Sequence, residues 1–102
     1  MALIATVLAL VSPQPSVNRW TVVRPYNAKL NRIHNCEARG EGWYANTGNG
    51  FYGGLQFTLS TWRSVGGRGM PHHASILEQK YRAVKVFLRA GNWSDWPVCG
   101  YR

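Results

Sequence analysis

The sequence predicts one small domain of the α+β class, mostly α, with a glycine-rich loop or a short hairpin between its helices. The chain has 102 residues, too few for two independent hydrophobic cores. Apolar residues make up 45% and charged residues 16%, which is a globular composition. Apolar residues follow helical spacing in two segments, and nine of the eleven glycines lie between residues 39 and 69.

The N-terminal segment differs in composition from the rest. Apart from Thr6, residues 1–11 form an apolar run like the core of a secretory signal, but no basic segment precedes it. An atypical export leader and a wrongly assigned start both fit this pattern. Prolines and weak periodicity predict a linker over residues 12–27. The domain division that we adopt is leader and linker over residues 1–18 and the folded domain over residues 19–102.

A first helix is predicted on the N-terminal side of the glycine-rich stretch. Asn27 can cap it, and it runs over about residues 28–37. Leu30, Ile33 and Glu37 fall on one helical face. A shorter helix is predicted over roughly residues 55–65, where a cluster of glycines stops it.

The clearest helix lies on the C-terminal side. Ser75 and Glu78 form an S-x-x-E capping box, and the helix is predicted over about residues 76–90, with Gly91 as its C-terminal cap. Its predicted apolar stripe consists of Leu77, Tyr81, Val84 and Leu88, and its outward-facing cations are Arg82, Lys85 and Arg89.

The charge balance suggests a polyanionic partner. Twelve Lys and Arg against four Asp and Glu give a formal net charge of +8, which suits nucleic acid, an anionic membrane or an anionic wall polymer. The basic residues are spread along the chain as on ordinary helix faces, so we expect no nucleic-acid partner. No run of 18 apolar residues exists, so we expect no stable membrane insertion.

Glu37 is the strongest candidate for a catalytic group. It continues the apolar stripe of the first helix, so it should point toward the interior or into a cleft. Partial burial and the negative end of the helix dipole both favour its protonated form. A Glu protonated near neutral pH can donate a proton to a leaving oxygen. The alternative is a surface Glu paired with Arg32 or Arg39.

Residues 43–62 carry the side chains that a sugar-binding groove needs. Aromatic rings stack on the apolar faces of sugars, and amides and hydroxyls bond to sugar hydroxyls. The candidates are Trp43, Tyr44, Phe51, Tyr52 and Trp62, with Asn46, Asn49, Gln56 and Thr61. Phe57 is assigned to the core, and for Trp62 both core and groove remain open.

A second carboxylate is harder to place. Most glycosidases use two carboxylates at defined separations. Glu41 lies between two glycines, a poor position for a fixed nucleophile, and Asp95 could approach Glu37 only through the fold. A single-acid scheme fits better, in which Glu37 protonates the glycosidic oxygen and a hydroxyl of the substrate or a water completes the reaction.

The cysteines and histidines indicate no metal centre. Cys36 and Cys99 are 63 positions apart and form one disulfide if the protein is exported; two buried thiols are the alternative. His34, His72 and His73 match no metal-ligand spacing with Cys36. We therefore expect neither a metal nor a cofactor.

Two sequence runs resemble the catalytic domain of resuscitation-promoting factors, which are secreted muralytic enzymes. The first is residues 36–57, CEARGEGWYANTGNGFYGGLQF, followed by Ser-Thr-Trp at residues 60–62; the second is WSDWPVC at residues 93–99. Together the matches cover about residues 28–100. The resemblance implies a compact lysozyme-like fold, cleavage of peptidoglycan between its amino sugars, and a secreted, wall-associated protein. We expect it to act as a monomer.

The resemblance also implies roles for particular residues. Glu37 would be the catalytic acid, Cys36 and Cys99 would be bridged, and the groove residues would be Asn46, Tyr52, Gln56, Thr61 and Trp62.

The chain departs from the family pattern at two points. The step from Glu37 to Trp43 is six residues where the family has five, and Thr58 stands where some members carry Asp. Glu41 therefore remains open as a substitute second carboxylate. A peptidoglycan-binding module without catalysis is the alternative function, with the inserted residue as its cause.

Overall fold

Helices dominate the part of the chain that the structure describes. The computed structural model of the protein describes residues 18–102, so nearly all of the predicted leader lies outside the described residues. Four α-helices follow in order: α1 (Arg19–Val23), α2 (Asn27–Ala38), α3 (Leu59–Ser64) and α4 (Ile76–Ala90). Short 3-10 helices occur at Arg24–Tyr26, Pro71–His73 and Cys99–Tyr101. The predicted mostly helical class is confirmed.

Helix α1 corrects the prediction that the linker extends to residue 27, since the chain is folded from residue 19 onward. The side chain of Asn18 caps α1 by accepting a hydrogen bond of 2.9 Å from the Trp20 amide. The helix packs against α4, and its Val23 is fully buried. Five residues are too few to show helical periodicity, which is why the sequence pattern missed this element.

Helix α2 agrees with its prediction apart from its first turn. Asn27 is its first residue rather than its cap, and the Asn27 side-chain oxygen accepts a 2.6 Å hydrogen bond from Nζ of Lys80. Leu30 and Ile33 are fully buried in the core. Each such side chain contributes about 1.5–3 kcal/mol of hydrophobic stabilisation. Their burial orients the face of α2 that carries Glu37.

Helix α4 has the predicted bounds, and its buried face agrees only in part with the predicted stripe, since Tyr81 and Val84 are buried as predicted. Ser75 accepts a 3.1 Å hydrogen bond from the Glu78 amide, and Gly91 ends the helix with a φ of 77°. The other two members of the stripe, Leu77 and Leu88, are exposed, and Gln79, which lies outside the stripe, is fully buried. The Gln79 amide group makes hydrogen bonds to the backbone at Gly54, Trp43 and Ala74, so its polar atoms are satisfied inside the core.

Arg82 also differs from its prediction as an outward-facing cation. Its guanidinium donates a 2.8 Å hydrogen bond to the carbonyl oxygen of Val65, and only 13% of its side chain is exposed. Helical spacing alone placed Arg82 on the solvent side. The chain that follows α3 covers this side chain, and the pattern within α4 carries no information about that packing.

The glycine-rich segment forms an irregular hairpin, as predicted. Isolated antiparallel bridges pair Asn46 with Tyr52, and Tyr52 with Phe57. Helix α3 starts at Leu59, about four residues later than predicted, because Thr58 acts as its cap and accepts a 3.3 Å hydrogen bond from the Thr61 amide.

The C-terminal segment is fixed against α2 and the hairpin. A disulfide joins Cys36 to Cys99, with their Cα atoms 5.6 Å apart, which confirms the expected pairing. The indole nitrogen of Trp96, a buried residue, donates a 2.8 Å hydrogen bond to the carbonyl oxygen of Leu55. The end of α2, the hairpin and the C-terminal segment therefore meet at one place.

Candidate active site

A cleft opens where these three segments meet. Its main part has a volume of about 480 Å³, and two smaller depressions of about 240 and 210 Å³ adjoin it. Gln56 lines all three depressions, which makes them one continuous groove. The main part is lined by Cys36, Glu37, Arg39, Asn49, Phe51, Gln56, Asp95, Trp96, Pro97, Val98, Cys99 and Arg102.

Glu37 lies in the last turn of α2 and lines this cleft. It is half-buried, and burial raises the pKa of its carboxyl above the ordinary value, while the nearby charge of Arg39 lowers it by less. Among residues 18–102, no cationic side chain lies within ion-pair distance of Glu37. The predicted alternative, a Glu held by Arg32 or Arg39, is therefore not what the structure shows.

The backbone around Glu37 is fixed on both sides. Cys36 precedes it and is held by the disulfide. Arg39, two positions after it, takes a left-handed conformation with a φ of 47° and ends the helix. The amide of Glu41 then donates a 2.8 Å hydrogen bond to the Ala38 carbonyl. The loop that carries the extra residue is thus folded back on the end of α2.

Gln56 presents its side chain to the cleft from a strained position. Its φ is 54°, in the left-handed region that residues other than glycine rarely adopt. Its side-chain nitrogen donates a 2.8 Å hydrogen bond to the carbonyl of Gly53. The hairpin bridge between Tyr52 and Phe57 holds this turn in place. Strain of this kind often accompanies functional sites.

The structure brings some of the predicted groove residues to the cleft and not others. Gln56 and Thr61 line it, and so do Asn49 and the exposed ring of Phe51. Asn46 and Tyr52 lie on the hairpin outside the lining of the three depressions. The Tyr52 ring stacks on His72, with ring centroids 5.4 Å apart.

The predicted contact of Trp62 with a sugar is wrong, because Trp62 lies in the core. Its side chain has no exposed surface and packs edge-on against Phe57, with ring centroids 5.1 Å apart. Its indole nitrogen donates to the carbonyl of Arg68 at 3.2 Å. A fully buried ring cannot stack on a sugar, so Trp62 supports the fold from the core. Trp43 likewise stacks on His34, away from the cleft lining.

Three of the four acidic residues of the chain line the groove. Asp95 lies in the main part with Glu37, and Glu41 lies with Glu37 in the smallest depression. The fourth, Glu78 of α4, pairs with Arg19 of α1 and with Arg82 of α4. No local sequence signal indicated that Asp95 reaches the site, because its approach depends on the disulfide and on the packing of Trp96.

The groove brings together a half-buried carboxyl, an exposed aromatic ring and several polar side chains, and the comparisons with known proteins identify the family of the chain. The transglycosylase-like domain family matches residues 24–99, and the chain belongs to this family. Within it, the chain is of the resuscitation-promoting factor type, with a small lysozyme-like, helix-rich fold. The resemblance seen in the sequence is thus confirmed.

Individual relatives are similar over most of this chain. It is 51% identical over 71 residues to resuscitation-promoting factor Rpf of Micrococcus luteus, covering 70% of this chain and 31% of that protein. It is 46% identical over 77 residues to resuscitation-promoting factor RpfE of Mycobacterium tuberculosis, covering 76% of this chain and 44% of that protein. The chain thus spans less than half the length of these curated relatives.

No membrane-crossing element lies in the described part of the chain. None of the helices between residues 18 and 102 has the length and apolarity that crossing a lipid bilayer requires.

Proposed function

We propose that this protein cleaves the glycan strands of peptidoglycan between their amino sugars, with Glu37 as the general acid. The observation that carries the proposal is a half-buried carboxyl that lines an open groove, has a raised pKa and forms no ion pair with any of residues 18–102. A carboxyl with a raised pKa keeps its proton to a higher pH than an ordinary Glu does and can deliver that proton to a leaving oxygen. The family supports the reaction type, since its members are transglycosylase-like domains.

The chemistry follows from the position of this one proton. Glu37 donates its proton to the glycosidic oxygen as the bond from that oxygen to the anomeric carbon breaks. The positive charge that develops on the sugar is then quenched by an oxygen nucleophile. A hydroxyl of the same sugar gives an anhydro product, as in a lytic transglycosylase, and water gives a reducing end, as in a muramidase.

The groove that contains this carboxyl also supplies binding groups. Phe51 offers an exposed ring for an apolar sugar face, and Asn49, Gln56 and Thr61 offer polar side chains for hydroxyls and amides. The net charge of +8 adds long-range attraction to an anionic cell wall. We propose a secreted, wall-associated monomer, with Asn46 and Tyr52 as contacts beyond the groove lining.

Substitution of the acid tests the proposal. We expect Glu37→Gln, which keeps the shape but cannot supply the proton, to lose the clearing of cell-wall suspensions by at least a hundredfold. Glu78→Gln is the matched control, because Glu78 pairs with arginines outside the groove and its variant should clear walls at the wild-type rate. A fully active Glu37→Gln variant would rule out the acid role.

The alternative of a binding module without catalysis gives a different result. The wild-type protein would then co-sediment with insoluble peptidoglycan, and mass spectrometry would detect no soluble muropeptides. Release of muropeptides by the wild type, and their loss in Glu37→Gln, supports the enzyme.

A further inference from the structure

The carboxylates of this basic protein are unevenly distributed. The chain has 12 basic and only four acidic residues, yet three of the acidic residues line a single groove. Asp95 and Glu37 line the main part of it together, although 58 positions separate them in the sequence (95 − 37). The single-acid scheme suggested by the sequence leaves Asp95 without a role.

The backbone that carries Asp95 is firmly held. The next residue, Trp96, is 4% exposed, and its indole donates to the Leu55 carbonyl at 2.8 Å. The Trp96 amide also donates to the Trp93 carbonyl at 2.9 Å, which closes the turn around Asp95. Four positions further on, Cys99 joins this segment to Cys36, the residue before Glu37. The same disulfide therefore positions both carboxyl-bearing segments.

The Asp95 side chain is free to act on a ligand. It is exposed to the cleft, and among residues 18–102 it forms neither an ion pair nor a side-chain hydrogen bond. Glu78, by contrast, is held by two arginines. Glu41 lines only the smallest depression, and it lies between glycines with φ values of 91° and 86°. Asp95 thus combines a fixed backbone with an uncommitted carboxylate.

We propose that Asp95 is the catalytic base that takes the proton from the attacking hydroxyl. This inference rests on the proposed function and adds a second group to it. As Glu37 protonates the leaving oxygen, the bond between that oxygen and the anomeric carbon breaks. The attacking oxygen forms a new bond to the same carbon and gives its proton to the Asp95 carboxylate. One proton is donated and one is accepted, so the step balances whether the nucleophile is water or a hydroxyl of the sugar.

The test replaces the base while keeping its shape. Asp95→Asn is assayed on purified soluble glycan fragments of peptidoglycan, with release followed by mass spectrometry. A general base contributes about 10²–10⁴-fold to a rate, so we expect kcat to fall by roughly a hundredfold or more, with little change in KM. Ser94→Ala, an exposed neighbour in the same turn and outside the cleft lining, should keep the wild-type rate.

Chemical rescue separates a base from a structural residue. Azide attacks without a proton to lose, so sodium azide should raise the turnover of Asp95→Asn and yield a glycosyl azide. It should not rescue Glu37→Gln, which lacks the proton for the leaving oxygen. If Glu41 is the base instead, Glu41→Gln will show the loss and the rescue while Asp95→Asn shows neither.

The results for the two variants distinguish the role of Asp95 as base from the proposed function on which that role rests. An active wild type with an inactive Glu37→Gln variant supports the proposed function. If Asp95→Asn then turns over at the wild-type rate, or loses activity without azide rescue, Asp95 is not the base and Glu37 keeps its role. If the wild type releases no fragments at all, both proposals fail together.

Discussion

Glu37 lies at a half-buried position, where burial disfavours the charged form of its carboxyl. Partial burial raises the pKa of its carboxyl, so the folded protein binds this proton more tightly than the unfolded chain does. The stability linked to this group is therefore fully present at low pH and decreases as pH rises through the raised pKa. The same proton is the one that the proposed reaction consumes, so the group combines a cost in stability with a function.

Glu37→Gln should therefore unfold at a higher temperature than the wild type at pH 7. The gap should close as pH falls below the ordinary Glu value of about 4.3, because both side chains are then neutral in both states. Thermal unfolding of the two proteins across this pH range measures the effect. A variant that is less stable than the wild type at pH 7 would contradict it.

Activity should follow the same ionisation. Because the protonated form is the working form, the rate of glycan cleavage should fall as pH rises through the raised pKa of Glu37. Initial rates on soluble fragments between about pH 4 and 9 give this profile. A rate that stays constant over the alkaline half of the range would argue against Glu37 as the acid.

Gly54 lies so close to Trp43 and His34 that its position leaves no room for a side chain. A Cβ atom placed there would lie 2.7 Å from Cδ2 of Trp43 and 2.8 Å from Nδ1 of His34. The Gly54 amide donates to Gln79 at 2.9 Å, and its carbonyl is 2.8 Å from the His34 ring nitrogen. The backbone therefore cannot shift without breaking buried hydrogen bonds.

We expect Gly54→Ala to destabilise the fold by about 2–3 kcal/mol through overpacking. Gly50→Ala is a useful comparison, since a Cβ atom at that position would have nothing within 4 Å and only the φ of 85° resists the change. That variant should cost about 1 kcal/mol. Urea unfolding of both variants gives the two values, and equal losses would show that crowding at Gly54 is unimportant.

Helix α1 is held on α4 by charge as well as by the burial of Val23. Arg19 donates to Glu78 at 2.7 Å, and Arg82 lies 3.4 Å from the same carboxylate. Burial alone would raise the pKa of Glu78, but the hydrogen bond from Arg19 and the charges of Arg82 and Arg19 together lower it. The contribution of Glu78 to stability is therefore present above the ordinary Glu pKa and is lost as pH falls through the lowered value.

Glu78→Gln should accordingly have a lower unfolding temperature than the wild type at pH 7 and low salt. The difference should shrink in high salt, which screens these partly exposed pairs, and in acid, where the wild-type carboxyl is itself protonated. Thermal unfolding at two pH values and two salt concentrations tests this. A difference that persists unchanged in acid would point to packing rather than charge.

The Cys36–Cys99 disulfide joins the end of α2 to the C-terminal segment and constrains most of the domain. It closes a loop of 63 residues that contains the hairpin, α3 and α4. In the chain-entropy treatment, a cross-link over a loop of this length stabilises the folded state by about 4 kcal/mol. For a protein of this size that is a large part of the total stability.

Replacing both cysteines by serine should therefore lower the free energy of unfolding by about 4 kcal/mol, as measured by urea titration. The wild type in excess reductant should lose a similar amount, whereas the double variant should be insensitive to reductant. Because the bridge joins the segments of Glu37 and Asp95, glycan cleavage should fall as well. A change below about 1 kcal/mol would mean that packing alone holds these segments together.

Local patterns in the sequence were sufficient to predict α2 and α4. The apolar spacing of Leu30 and Ile33 predicted α2 and placed Glu37 on its inward side, and the Ser75 capping box and Gly91 set the bounds of α4. These signals involve residues within a few turns of each other, so they can be read without knowing the rest of the fold.

Contacts between distant segments decided the remainder. The sequence left both groove and core possible for Trp62, and the packing of α3 in the structure places it in the core. Helix α1 has only five residues, too few for a periodic pattern to predict it. Asp95 reaches the cleft of Glu37 because a disulfide and a buried Trp96 draw the C-terminal segment onto the end of α2. Side-chain chemistry and helical spacing are local properties, whereas the meeting of groups far apart along the chain depends on how the whole core packs.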